Sequence, residues 1–251
     1  MSSDVTTAIE DLVATVEIHR PPHNWFDLEV LAGVADAVLA LDDDGAARAI
    51  VLCTEGRNFC AGADLTGGEV LDNTASLYAT ATRLFTGTKP IVAAVQGAAI
   101  GGGLGLALAA DFRVASPQTR FACNFAKLGF HQGFGITVTL PLVVGPQKAL
   151  ELMYTAVDVR GDEARRIGLA DRLAPADELR GAAHAFAAEI AAAGPLAIQA
   201  IRNTMRGDLA EKVRTATAHE AKEQARLRET DDFREGVAAT AERRAPDFTG
   251  R

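Results

Sequence analysis

Two glycine-containing segments decide the fold: Arg57-Asn-Phe-Cys-Ala-Gly-Ala-Asp-Leu65 and Lys89-Pro-Ile-Val-Ala-Ala-Val-Gln-Gly-Ala-Ala-Ile-Gly-Gly-Gly-Leu-Gly105. Together they can present two backbone N–H groups to one developing oxyanion, an arrangement that stabilises enolates and tetrahedral adducts. The acid and the base that such chemistry needs are much less evident in the sequence.

The second segment has the pattern of a strand, a turn and a helix. Ile91 to Val95 is an apolar strand, Gly97 to Gly103 a glycine-rich turn, and Leu104 to Ala110 an apolar helix. A turn that opens a helix leaves unpaired N–H groups at the positive end of the helix dipole. Close packing of a helix against a strand explains the glycines equally well. As a nucleotide motif the signal is weak, because the Lys-Ser/Thr of a phosphate loop is missing.

Length, charge and cysteine usage narrow the class of protein. The 251 residues can form one large domain, or one domain with a helical appendage. The net charge of −8 argues against a nucleic-acid partner and against an anionic membrane surface. The three cysteines form neither a disulfide framework nor the spacing of a zinc site, so we expect no metal. The N-terminus lacks the features of a signal peptide, which predicts a cytoplasmic location.

The uncharged stretch between Lys89 and Asp111 is long enough to cross a bilayer. However, Gln96 and the Gly-Gly-Gly run would interrupt a helix midway, and no second span follows. We therefore predict that the stretch is part of a folded core and not a membrane segment.

The rest of the chain mixes strand and helix patterns. Residues 13–20 alternate as a strand does, and residues 27–41 have helical spacing with Asp27 as the N-cap. Short apolar runs predict buried strands at 49–53, 91–95 and 112–115. Helices are predicted at 147–155, 162–167, 176–193 and 195–205, followed by a charged stretch at 209–229 that packs on the core or on another subunit. The predicted fold class is α/β.

The two segments resemble the signatures of a known family. Phe59-Cys-Ala-Gly-Ala-Asp-Leu65 is similar to the Phe-x-Ala-Gly-Ala-Asp-Leu signature of the enoyl-CoA hydratases/isomerases, the crotonases, and residues 89–111 resemble the second family signature. Shorter matches extend the resemblance over nearly the whole chain. It implies a crotonase (ClpP-like) spiral of repeated ββα units in residues 1–195. It also implies a C-terminal helical region in residues 196–251 that drives homotrimers, often dimers of trimers.

The resemblance also implies roles for individual residues. The oxyanion hole would consist of the N–H groups of Ala63 and Gly102, which would hold a thioester oxygen as it becomes an enolate oxygen. Asp64 would support the loop and Arg243 would approach the nucleotide end of coenzyme A. The residues along the rest of the coenzyme would be Pro22, His23, Ala61 and Leu65. Coenzyme A enters as part of an acyl-CoA substrate, and no separate cofactor is implied.

The resemblance fails at the two glutamates that hydratases of the family use. One follows the Gly-Gly-Gly element, where this chain has Gly105, and the other aligns with Phe125. Both positions are expected to line the substrate pocket. Two carboxyl groups suit the activation of water and the transfer of the α-proton. Ordinary two-glutamate hydration and single-glutamate isomerisation are therefore both in doubt.

Polar residues in the run Leu128 to Gly135 are the candidates to replace these carboxylates. Imidazole is the side chain best matched to proton transfer near neutral pH, so one hypothesis makes His131 the acid/base or an anchor for the acyl group. The alternative is a histidine that is hydrogen-bonded within its loop. Gln132 stands where relatives with other chemistries carry an aspartate, which makes it a second candidate for the pocket.

Four further side chains have weaker claims. Cys60 and Cys123 lie near the predicted pocket, but thiols are most often small buried hydrophobes. Glu69 and Asp72 follow the first segment, where solvated loop charges are the more common reading.

Three functions fit these features. The leading hypothesis is an acyl-CoA enzyme that acts through a thioester enolate on a substrate other than, or besides, a simple enoyl-CoA. The second is a non-catalytic, oligomeric acyl-CoA-binding protein, because the oxyanion hole is kept while the proton-transfer groups are missing. The third is a hydrolase of C–C bonds that uses His131.

Overall fold

A computed structural model describes residues 4–63 and 73–251. The strands are β1 (Val5–Glu10), β2 (Val13–Ile18), β3 (Ala49–Thr54), β4 (Ile91–Val95), β5 (Ala98–Ile100), β6 (Phe112–Ala115), β7 (Arg120–Ala122), β8 (Val159–Arg160) and β9 (Arg172–Leu173). The helices are α1 (Leu28–Ala40), α2 (Thr74–Thr82), α3 (Gly102–Ala109), α4 (Ile136–Val144), α5 (Pro146–Thr155), α6 (Gly161–Arg166), α7 (Leu179–Ala191), α8 (Pro195–Arg206), α9 (Leu209–Arg228) and α10 (Asp231–Glu242). Short 3₁₀ helices cover Arg83–Phe85 and Asn124–Leu128.

The described strands form two sheets. The larger has the order β1-β2-β3-β4-β6-β9, antiparallel at β1/β2 and parallel elsewhere. The smaller has the order β5-β7-β8, with β5 and β7 parallel. All residues of β3 and β4 are buried, as expected for parallel strands covered on both faces. Helix α7 packs on one face of the large sheet through Leu179, Ala183, Ala187 and Ala191. The α/β prediction is confirmed.

The chain alternates regularly between the two sheets. Strand β4 lies in the large sheet, β5 in the small one, and α3 follows; β6, β7 and α4 repeat this order. Strand β3 begins an equivalent unit, in which Cys60 bridges to Ala99 of β5 instead of forming a full second strand. This repetition is the ββα spiral that the family resemblance implies.

Several predicted elements are found nearly as expected. Asp27 caps α1, because its carboxylate accepts the Val30 N–H at 2.9 Å. Strands β4 and β6 have the predicted bounds. The predicted turn at 97–103 is wrong in detail: residues 98–100 form β5, which pairs with β7, and helix α3 begins at Gly102 instead of Leu104.

The charged stretch after residue 208 is helix α9, which packs against α2. Its buried residues are Val213, Thr217, Glu220 and Gln224, spaced four, three and four apart. Three of the four are polar, which explains why apolar residues are sparse in the sequence of this helix. The division of the chain at residue 195 stays a prediction.

None of the helices in the described ranges is, by itself, long and apolar enough to span a bilayer. Helices α7 and α8 pass the length and composition test only as a pair bent by 103°. The stretch between Lys89 and Asp111 forms β4, β5 and α3 of the core, as predicted.

Candidate active site

The loop that contains Ala61 is held by the turn after β2. Asn24 is fully buried, and its side-chain amide donates to the carbonyl oxygens of Glu55 and Asn58 at 2.8 and 2.7 Å. The Ala61 N–H donates to the His23 carbonyl at 2.9 Å. The first predicted segment is therefore fixed to residues 22–24, which brings Pro22, His23 and Ala61 together as the sequence predicts.

The two glycine segments are in direct contact with each other. The Cys60 N–H donates to the Ala98 carbonyl, and the Cys60 carbonyl accepts from the Ile100 N–H, both at 3.0 Å. A Cβ on Gly103 would lie 2.0 Å from the Cys60 oxygen, so only glycine lets α3 begin this close to the first segment. Gly62 has φ of +90°, and a Cβ there would lie 3.3 Å from the Gly102 nitrogen. The glycines thus serve close packing, and this packing sets the distance between the two segments.

Ala63 and Gly102 border one cavity of about 100 Å³. Gly102 is the first residue of α3, where backbone N–H groups have no partner within the helix. Within residues 4–63 and 73–251, neither the Ala63 nor the Gly102 N–H donates a hydrogen bond. The cavity is lined by Phe26, Ala61, Ala63, Thr74, Leu77, Tyr78, Gly101, Gly102, Asn124, Phe125, Leu128, Phe130 and Gln224. An oxyanion hole needs two free donors beside one cavity, and the oxyanion role of Ala63 and Gly102 stays a prediction.

An aromatic side chain occupies the space next to Gly105. A Cβ at this position would lie 2.5 Å from the Phe134 Cβ and 2.7 Å from its Cγ. Phe134 is itself in a left-handed conformation, with φ of +61°, and its ring packs on Phe26 with centroids 5.4 Å apart. A glutamate cannot replace Gly105 unless Phe134 moves. Phe134 thus fills the space that a carboxylate side chain at position 105 would need.

Phe125, the second position at issue, lines the cavity from the 3₁₀ helix after β7. The described lining contains no carboxylate and no cationic side chain. It is apolar except for Thr74, Tyr78, Asn124 and Gln224. A cavity of this kind suits a small, uncharged group.

Sequence reasoning did not find Tyr78 and Gln224, which form the polar wall of the cavity. The Tyr78 hydroxyl donates to the Gln224 Oε1 at 2.8 Å. The Gln224 Nε2 donates to the His131 carbonyl at 2.8 Å. Burial is the main cause that raises the pKa of Tyr78, so its hydroxyl stays protonated at neutral pH. The two side chains come from α2 and α9, and only the folded chain brings them together.

His131 lies beside the cavity and not in its lining. Its Nδ1 is 2.7 Å from the Gln132 carbonyl, and its ring meets that of His219 edge-on, with centroids 5.9 Å apart. Gln132 donates to the Thr137 hydroxyl at 3.2 Å and also lies outside the lining. Neither residue shares the cavity with Ala63 and Gly102, so their roles stay predictions.

The remaining predicted residues fall into two groups. His23 is exposed and stacks on Trp25 with ring centroids 4.9 Å apart, and Arg243 is exposed at the end of α10. Asp64, Leu65, Glu69 and Asp72 lie outside the described residues.

Glu220 is a fully buried carboxylate near the cavity but outside its lining. It accepts the Gly135 N–H at 2.8 Å, the Thr137 N–H at 3.2 Å and the Thr137 hydroxyl at 2.5 Å. Burial raises its pKa, and these hydrogen bonds oppose that rise. Since it is positioned to cap α4, we assign it a structural role.

The buried thiols are poor nucleophiles. Burial raises the pKa of Cys60 and of Cys123 to about 12. Thiolate is the reactive form, and little of it exists at neutral pH for such a group. No cluster of His, Cys, Asp and Glu suited to a metal ion occurs in the part of the chain that the structure describes.

Comparison with known proteins shows the family of the chain. Residues 8–251 match the family model for enoyl-CoA hydratase/isomerase. The chain belongs to the enoyl-CoA hydratase/isomerase family. It is 32% identical to a probable enoyl-CoA hydratase of Bacillus subtilis, over 98% of each chain. It is 33% identical to a crotonyl-CoA hydratase of Syntrophomonas wolfei, over 96% of each chain.

A solved structure supports the same family assignment. The crystal structure of an enoyl-CoA hydratase/isomerase from Pseudoalteromonas atlantica T6c superimposes with a TM-score of 0.88 at 30% identity, and the match covers 98% of this chain and 100% of the other. The crotonase fold with its C-terminal helices is thereby confirmed.

Proposed function

We propose that this member of the family binds acyl-CoA and stabilises a thioester enolate through the N–H groups of Ala63 and Gly102. The observation that carries the proposal is the pair of unpaired donors beside one cavity, within the described residues. Such donors favour the enolate over the thioester form because negative charge grows on the oxygen they contact. We further propose that Pro22, His23 and Ala61 lie along coenzyme A, with Arg243 at its nucleotide end; the Ala61 N–H bond to the His23 carbonyl supports the grouping of the first three.

The reaction we propose differs from two-glutamate hydration. Gly105 and Phe125 supply no carboxyl group, and Phe134 fills the space beside Gly105. The described lining has no other group that titrates near neutral pH. Water activation therefore has no base there, and we expect hydration of crotonyl-CoA to stay near the uncatalysed rate.

Titration calorimetry with butyryl-CoA, and with coenzyme A as the control, tests the proposal. We expect butyryl-CoA to bind more tightly than coenzyme A, since only the thioester carbonyl can occupy the oxyanion hole. In D₂O, enolate stabilisation should also speed exchange of the α-protons of bound butyryl-CoA, with solvent as the base that takes the proton and as the donor that returns a deuteron, and NMR can follow this exchange. Absence of binding by any acyl-CoA would rule the proposal out.

A second candidate is a non-catalytic acyl-CoA binder. It is favoured by the uncharged lining of the cavity, which keeps the oxyanion donors without a proton-transfer group. Tight binding without α-proton exchange or turnover across a panel of acyl-CoA compounds would select it. The third candidate, C–C bond hydrolysis through His131, has less support because that side chain lies outside the lining.

The exposed apolar side chains of α8 support a homotrimer or a dimer of trimers. Leu196 and Met205 are each 80% exposed and Ile201 is 58% exposed in the single chain. Apolar residues concentrated in this way on one helix are typical of protein interfaces. We propose that assembly of three or six copies covers them.

A further inference from the structure

Tyr78 and Gln224 form a hydrogen-bonded pair that can make further hydrogen bonds. Each residue borders two cavities in the described part of the chain. The cavity that both of them border is the cavity lined by Ala63 and Gly102. Both side chains are nearly fully buried, at 6% and 3% exposure. Groups as deeply buried as these need hydrogen-bond partners, because water is scarce where they lie.

Counting the donors and acceptors of the two side chains shows which of them have no hydrogen-bond partner. A tyrosine hydroxyl has one proton and two lone pairs, and an amide nitrogen has two protons. Tyr78 uses its proton on Gln224. Gln224 uses one N–H on the His131 carbonyl, which also fixes the orientation of its amide. Within the described residues, the Tyr78 oxygen can still accept a hydrogen bond and the Gln224 nitrogen can still donate one.

The packing around the pair holds these atoms in place. A Cβ on Gly133 would lie 1.7 Å from the Tyr78 oxygen, so a glycine is required at the point where the loop passes the hydroxyl. The pair therefore keeps one acceptor and one donor side by side at the cavity.

A hydroxyl group is the complement of this arrangement, since it can donate to the Tyr78 oxygen and accept from the Gln224 nitrogen at the same time. A methylene would leave both unpaired. An anionic acyl group is disfavoured, because the described lining offers no cationic side chain.

We propose that Tyr78 and Gln224 bind a hydroxyl group of the substrate acyl chain and are specificity-determining residues for hydroxyacyl thioesters. This inference rests on the proposed function, because it takes the cavity to be the acyl site. The pair binds the hydroxyl and does not deprotonate it, as neither side chain is a base at neutral pH.

The experiment compares ligands that differ only by the hydroxyl: butyryl-CoA, 3-hydroxybutyryl-CoA and 4-hydroxybutyryl-CoA, titrated by calorimetry into the full chain. We expect one hydroxybutyryl-CoA to bind on the order of tenfold more tightly than butyryl-CoA. Tyr78→Phe alone leaves the Gln224 Oε1 without its donor and thus available to the ligand. The decisive variant is therefore Tyr78→Phe/Gln224→Met, which removes both groups.

The double variant should lose the preference for the hydroxyl, so that it binds neither hydroxybutyryl-CoA more tightly than butyryl-CoA. Tyr154→Phe is the matched control, because Tyr154 is the other tyrosine of the chain and is 76% exposed. It should keep the preference. The inference is wrong if the wild type binds all three ligands equally, as it would with an ordered water on the pair, or if the double variant keeps the preference. If none of the three ligands binds, the proposed function itself fails and the inference fails with it.

Discussion

Asp111→Ala should destabilise the protein by about 3 to 5 kcal/mol, because it leaves two buried guanidinium groups without their carboxylate. Asp111 accepts from Arg202 Nε at 3.0 and 3.1 Å, and it lies 2.8 Å from Arg206 Nε. The side chains of both arginines are at most 14% exposed. Asp111 also accepts the Ile91 N–H at 2.8 Å, which ties the start of β4 to the end of α3.

Few other groups could take the place of the Asp111 carboxylate as a partner of the two arginines. Arg202 and Arg206 each already have one buried nitrogen without a partner among the described residues. Urea unfolding at fixed protein concentration measures the change in free energy. Asp36→Ala is the control, since Asp36 pairs with Arg83 at 2.6 Å but is 54% exposed. That pair should contribute less than about 1 kcal/mol. A loss at Asp111 no larger than at Asp36 would show that the buried cluster contributes little to stability.

Gly103→Ala should remove acyl-CoA binding and destabilise the fold by about 3 kcal/mol. The added methyl group would lie 2.0 Å from the Cys60 oxygen and 2.7 Å from its carbonyl carbon. Both neighbours are backbone atoms, so the clash can be relieved only by moving α3 away from the first segment. That movement separates the Gly102 N–H from the Ala63 N–H.

Gly181→Ala is the matched control for this prediction. Gly181 is also helical, in α7, but no heavy atom lies within 4 Å of a Cβ built there. Alanine at this position should therefore leave acyl-CoA binding unchanged. The variant should be at least as stable as the wild type and up to about 1 kcal/mol more stable. Circular dichroism with urea, together with calorimetric titration of butyryl-CoA, measures both effects. Normal butyryl-CoA affinity in Gly103→Ala would mean that contact between the two segments does not set the oxyanion hole.

The sequence predicts much of the fold because its main signals are local. An apolar run such as Ile91 to Val95 has the composition of a buried parallel strand, and Asp27 needs only the next three residues to act as a cap. Each glycine segment is informative for the same reason, since its motif is a continuous run of residues, although the contact between the two segments joins Cys60 to the distant Ala99. Strand β5 was missed because three residues carry no periodicity, and its pairing with β7 is non-local.

The polar part of the candidate site could not be predicted in the same way. Tyr78 and Gln224 are separated by 146 residues, and nothing in the local sequence of either helix relates them. The buried polar spacing in α9 is the one available signal, because Glu220 and Gln224 fall on the same face as Val213 and Thr217. Phe134 was also missed. Phe134 occupies the space that the missing side chain of Gly105 leaves, and only the packing of α3 reveals this contact.

The central claim is that Ala63 and Gly102 hold the thioester oxygen. Infrared difference spectroscopy of butyryl-CoA labelled with ¹³C at the carbonyl measures this contact directly, because hydrogen bonds to the oxygen weaken the C=O bond. We predict that the labelled band moves to lower frequency on binding than it has in water, since two fixed donors polarise the carbonyl more than mobile water does. A bound ligand whose carbonyl band stays at its aqueous position, or moves to higher frequency, would contradict the account.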